Sequence, residues 1–80
     1  MLSELQGVKK VVGAKQVIKT LREYDVRCVY IATDADAFVT RPVFDACRAR
    51  NVSIVETPSM QALGEACGMR VKATAVAVLK

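Results

Sequence analysis

Four side chains within eight positions carry the densest recognition chemistry in this chain. Lys15, Gln16, Lys19 and Arg22 follow the i, i+4, i+7 spacing that lines one side of an α-helix, with Gln16 beside Lys19. Three of the four are cations, and no Asp or Glu lies between Gly7 and Arg22. A helix needing only solubility would interleave Glu partners at i+4. A face of one sign suits an anionic partner. Gln16 adds an amide that both donates and accepts, as needed to contact the edge of a base. Gly13, directly before this helix, leaves the first amides open to an anion at the positive end of the helix dipole. The chemistry points to a nucleic-acid contact surface, with a merely solvated helix face as the alternative.

Other candidate groups are weaker. Asp34 and Asp36 form a D-x-D pair after an apolar strand, a place where open α/β sheets bind ligands. Such a pair could hold Mg²⁺ in a small metal-dependent enzyme, but a hard cation needs more oxygen ligands than two acids supply. Asx-turn and capping duty is the competing role for both. Cys28, Cys47 and Cys67 are widely spaced and odd in number, without C-x-x-C, so neither a disulfide framework nor a metal site is indicated. Each sits in an apolar pattern and is expected in the core of a protein from a reducing compartment. The chain has no His, which removes imidazole bases, Ser-His and Cys-His nucleophiles and Cys/His zinc sites. Gly13-Ala14-Lys15 lacks the spaced glycines of a phosphate loop. An enzyme is not expected, and neither is a cofactor.

The elements that must position these residues follow from periodicity. Ser3 to Lys10 suggests a short helix capped by Ser3, with Leu5 and Val8 inward. Val11-Val12 is a brief strand ending at Gly13. Ala14, Val17, Ile18 and Leu21 form the apolar stripe of the basic helix. Val26 to Ala32 is a buried strand, and Thr33 to Asp36 a turn. The next helix uses Val39, Val43, Ala46 and Cys47 as its inner stripe, carries Pro42 and closes at Asn51. Val52 to Val55 is a strand. Thr57 is expected to cap a helix with Pro58 at its first position and Leu63, Ala66 and Cys67 inward. Gly64 suits close packing and Gly68 a left-handed stop. Met69 to Ala73 is a loop and Thr74 to Leu79 the last strand. Alternating helices and strands imply an α/β protein, a three-layer α/β/α sandwich around a four-stranded mixed, mainly parallel sheet.

Length and composition agree. Eighty residues support one domain over 1–80, and 52% hydrophobic with 25% charged residues argues against disorder. The 13 Val and 11 Ala suit buried strands and close helix packing. No stretch approaches the ~20 apolar residues of a membrane span, and the N-terminus lacks a signal peptide's apolar core, so a cytoplasmic protein is expected. The net charge is +4. Seven of eight acids lie between Glu23 and Glu65, and the segment from Ala66 to Lys80 holds Arg70, Lys72 and Lys80 without an acid. These two acid-free segments, Gly7 to Arg22 and Ala66 to Lys80, could form one basic surface if the fold joins them.

Three segments carry a family resemblance: Gly13-Ala14-Lys15-Gln16-Val17-Ile18-Lys19, Ile31-Ala32-Thr33-Asp34-Ala35-Asp36 and Leu63-Gly64-Glu65-Ala66-Cys67-Gly68. In this order and register the chain resembles the kink-turn RNA-binding ribosomal protein family (the "L-seven-Ae" family), and most of all its short bacterial YbxF-type members. The resemblance implies an α/β/α sandwich that binds RNA kink-turns, in which tandem sheared G·A pairs follow a bulge. It implies one contact region at Gly13, Lys15, Gln16 and Lys19, meeting the G·A pairs. It implies a second at Met69, Arg70, Val71 and Lys72, approaching the bulged nucleotides. Lys15-Gln16 is similar to the bacterial variant, where the archaeal pattern carries Asn-Glu. The implied partner is kink-turn RNA, ribosomal or regulatory, with the ribosome as a further partner, no membrane, and a monomeric protein. The same fold without RNA affinity would be a protein-interaction domain.

Overall fold

The computed structural model describes residues 7–80. The element order is β1 (Lys10–Val12), α1 (Ala14–Glu23), β2 (Val26–Ala32), α2 (Ala37–Ala49), β3 (Ser53–Thr57), α3 (Met60–Ala66) and β4 (Ala75–Leu79). Of the helix expected over Ser3 to Lys10, residues 3–6 lie outside the described residues. Its remainder is not helical: Gly7 has a positive φ of 74° and Lys10 belongs to β1. Val8 nevertheless packs inward.

The sheet runs β1-β4-β2-β3. β2 and β3 pair parallel, whereas β4 lies antiparallel between β1 and β2. The sheet is mixed, as expected, but a mainly parallel ladder is not what forms. β1, β2 and β3 run in one direction, as strand–helix alternation requires, and only β4 is reversed. The loop after α3 reverses the chain. It doubles back along α3, with the Met69 N–H on the Gly64 carbonyl and the Ala73 N–H on the Met60 carbonyl at the helix start. The chain therefore re-enters from the end where β3 finished. β4, Ala75-Val76-Ala77-Val78-Leu79, is apolar throughout and suits the central place, where both faces are covered.

Strand alternation divides the core in two. Val29 and Ile31 of β2, with Ala75 and Ala77 of β4, face Val17 and Leu21 of α1 and Val43 and Cys47 of α2. Tyr30 and Ala32, with Val76 and Val78, face Leu63 of α3 and Ala73. Two helices cover one face and α3 the other, giving the three layers. The inner stripe of α2 is Thr40, Val43 and Cys47, with Ala46 half-buried; Val39, expected inside, is 39% exposed. Asp36 sets this phase. Its carboxylate accepts the Phe38 N–H at 2.8 Å and its carbonyl the N–H groups of Val39 and Thr40, so the helix begins at Ala37. Asn51 ends the segment with φ 54°. Thr57 does not cap α3: it ends β3 and its hydroxyl donates to the Ile31 carbonyl, while Ser59 Oγ accepts the Ala62 N–H at 3.1 Å.

Cys47 is fully buried in the two-helix layer, and burial pushes its thiol from 9.0 up to about 11. Cys28 and Cys67 are half-buried and pack against the second core cluster, so all three cysteines join the core as the pattern suggested, Cys47 alone completely. Raised in the folded state, the Cys47 pKa makes the unfolded chain release its proton first as pH rises. Its contribution to stability is therefore whole below about pH 9 and declines as pH approaches 11. Denaturant melts at pH 8 and pH 10.5 should show a larger loss of stability for the parent than for Cys47→Ala.

Candidate nucleic-acid interface

Topology gathers the candidate residues at one end of the sheet. β1 ends with Val12 opposite Val76, β2 ends with Ala32 opposite Thr57, and β4 begins with Ala75 opposite Ile31. The start of α1, the turn Thr33 to Asp36, the start of α3 and the loop before β4 therefore share that end. Two hydrogen bonds make the junction. The Gly13 N–H donates to the Ala75 carbonyl at 2.9 Å, and the Ala32 N–H to the Thr74 carbonyl at 3.0 Å.

Gly13 sits at φ 107°, ψ 139°, a positive-φ conformation that side-chain-bearing residues rarely adopt. It is the N-cap residue of α1, and no side chain caps the helix there. The first-turn amides of α1 are thus left without a side-chain acceptor, and the first turn holds no acid. Lys15, Gln16, Lys19 and Arg22 are all exposed, while Val17 and Leu21 are buried beneath them. Among the described residues the one ion pair is Arg48 with Asp45, so these cations have no carboxylate partner there.

The second segment is held by α3. Gly64 is buried, and a Cβ built on it would collide with the Val71 carbonyl oxygen. Gly68, at φ 76°, turns the chain, and the Met69 N–H donates to the Gly64 carbonyl at 3.0 Å. The Ala73 N–H closes the loop on the Met60 carbonyl at 3.0 Å. Arg70, Val71 and Lys72 are exposed and Met69 is half-buried. Val71, at 60% exposure, offers apolar surface that no core residue covers.

Asp34 and Asp36 both have their carboxylates on backbone amides. Asp34 accepts the Met60 N–H at 2.8 Å, across 26 residues, and Asp36 caps α2. Among the described residues no group of three or more His, Cys, Asp or Glu could hold a metal ion. Asp34 instead ties the β2–α2 turn to α3, and through Met60 to the loop. This role was invisible in the sequence, because it depends on a contact across 26 residues. Lys9 precedes β1 and Lys10 begins it, opposite Val78 and away from that end of the sheet. Cys67, at the C-terminal end of α3, is half-buried against the second core cluster; burial raises its thiol pKa, opposed by the charge of Lys10.

Residues 3–80 match the Ribosomal protein L7Ae/L30e/S12e/Gadd45 family. The chain belongs to this family. It is 41% identical over 76 residues to RNA-binding protein YbxF of Geobacillus stearothermophilus, covering 95% of this chain and 93% of that one. An RNA-binding protein of Geobacillus sp. (strain WCH70) is 40% identical over the same length, with the same coverage. The Giardia lamblia 15.5kD RNA binding protein superposes with a TM-score of 0.84 at 29% identity, over 99% of this chain and 65% of that one. A Bacillus halodurans protein of unknown function gives a TM-score of 0.89 over 99% of this chain and 83% of that one, at 23% identity, a likeness of fold alone. The family fold accounts for the α/β/α layers and the mixed sheet found here.

Gly64→Ala should force the 69–72 loop away from α3. Overpacking at such a contact costs about 1–3 kcal/mol. A chemical-denaturation midpoint shifted downward, with amide exchange of Val71 to Ala73 accelerated, is the expected outcome.

Proposed function

We propose that this protein binds RNA without catalysing a reaction, and that its target is a kink-turn in ribosomal or regulatory RNA. The observation that carries the reading is the pairing, at one sheet end, of an uncapped basic helix start with an exposed apolar–basic loop. Its family membership and its RNA-binding relatives support the RNA part. The kink-turn part rests on the match of Gly13, Lys15, Gln16, Lys19 and Met69 to Lys72 with the family's contact segments.

The physics of RNA favours such a target. A regular A-form major groove is too deep and narrow for side chains, so a protein needs a distorted site. A kink opens the groove to the α1 start. Lys19 then donates to guanine O6 and N7, and Gln16 pairs with adenine N6 and N7. Met69 and Val71 offer apolar surface to an unstacked base, with Arg70 and Lys72 on phosphates. Tighter binding of the kinked form shifts the RNA's own equilibrium toward it. In this reading the whole chain acts as a single RNA-binding domain, as a cytoplasmic monomer, with the ribosome as one setting. No helix among the described residues is long and apolar enough to cross a membrane.

Gln16→Ala keeps the net charge, so its loss of affinity isolates base contact; about 1–3 kcal/mol is expected. That loss should vanish on an RNA whose G·A pairs are replaced by Watson–Crick pairs. Lys72→Ala should weaken both RNAs alike and lower the log–log salt slope by about 0.7–0.9. Equal affinity of the parent for a kink-turn and a regular duplex of the same length would refute shape capture.

A further inference from the structure

Phe38 is 91% exposed, against 60% for the next most exposed large apolar residues, Tyr24 and Val71. It belongs to neither core cluster. Nothing in the fold requires a ring there. Its backbone is nonetheless held, because the Phe38 N–H is fixed on the Asp36 carboxylate at 2.8 Å. Arg41 and Pro42 follow at i+3 and i+4, on the same side of α2. With Ala37 and Phe38 they line a cavity of about 270 Å³. Arg41 is exposed and has no ion-pair partner among the described residues.

The position is as informative as the composition. β1 and β2 run in the same direction on either side of β4, so α1 and α2 start at the same sheet end and pack side by side on one face. Phe38, in the first turn of α2, therefore stands at the end that carries Gly13, Lys15 and the loop before β4. Size selects the occupant. A stable protein interface needs about 800 Å² on each partner. One ring, a proline and a guanidinium around a small concavity match a single planar base.

We propose that Phe38 and Arg41 form a stacking site for one unpaired nucleobase of the bound RNA, additional to the α1 and 69–72 contacts. The ring supplies the flat apolar face and the neighbouring guanidinium a cation for the base or its phosphate, a combination that tolerates any base identity. This inference rests on the RNA-binding reading. The chain contains no Trp, so Phe38→Trp places a single tryptophan, selectively excitable over the two tyrosines, at the site. Titrating that variant with a kink-turn duplex whose bulge carries unpaired nucleotides should quench its emission at one equivalent and retain the parent's affinity. Phe38→Ala and Phe38→Leu, with melting temperatures like the parent's, should bind roughly 5- to 100-fold more weakly. Making the unpaired nucleotides abasic should erase that difference. RNA bound by Phe38→Ala as tightly as by the parent, with unchanged Trp emission, overturns the stacking site alone and leaves the ring to a protein partner. No RNA binding by the parent itself overturns the functional reading, and this site with it.

Discussion

Two consecutive backbone carbonyls at the start of β4 hold the candidate interface together. Thr74 accepts from Ala32 at the end of β2, and Ala75 accepts from Gly13 at the start of α1. Neighbouring carbonyls in a strand point to opposite sides, so both bonds form only if β4 lies between β1 and β2. The reversed central strand is thus what brings the second acid-free segment to the first. Its register is protected by packing. A slip of one residue would exchange Ala75 and Ala77 with Val76 and Val78, putting larger side chains under α1 and α2 and smaller ones under α3.

Small residues do much of the positioning. Ala75 and Ala77 admit α1 close to the sheet, and Gly64 admits the Val71 carbonyl close to α3. These approaches fix backbone rather than side chains. The long basic side chains then project from a backbone that is already set, which lowers the ordering cost of binding. Asp34 extends the same logic by joining the β2–α2 turn, α3 and, through Met60, the loop. Both acids near the site have their carboxylates on backbone amides.

Much of this was legible in the sequence. The stripe Ala14, Val17, Ile18, Leu21 identified α1 and left Lys15, Gln16, Lys19 and Arg22 outside, as found. Val26 to Ala32 was recognisable as a strand from its apolar run, with the bounds observed. Gly64 and Gly68 were legible as packing and stop positions because their permissiveness is used there. Errors arose where two groups competed for one role. Thr57 and Ser59 both suit a cap, and a sheet contact to Ile31 claimed Thr57. Val39 and Thr40 differ by one helical step, and the Asp36 cap chose the phase.

The sequence by itself determined the local terms: that 14–23 is helical and 26–32 extended, which side of α1 is basic, and that acids are absent from Gly7 to Arg22 and from Ala66 to Lys80. Those are set by periodicity and charge, which are properties of neighbours along the chain. Only the tertiary structure decided that β4 runs backward through the middle of the sheet, that Asp34 reaches Met60, and that Phe38 stands at the site end. Each depends on contacts between distant residues, and hydrophobic burial, being non-directional, does not select strand order from composition alone.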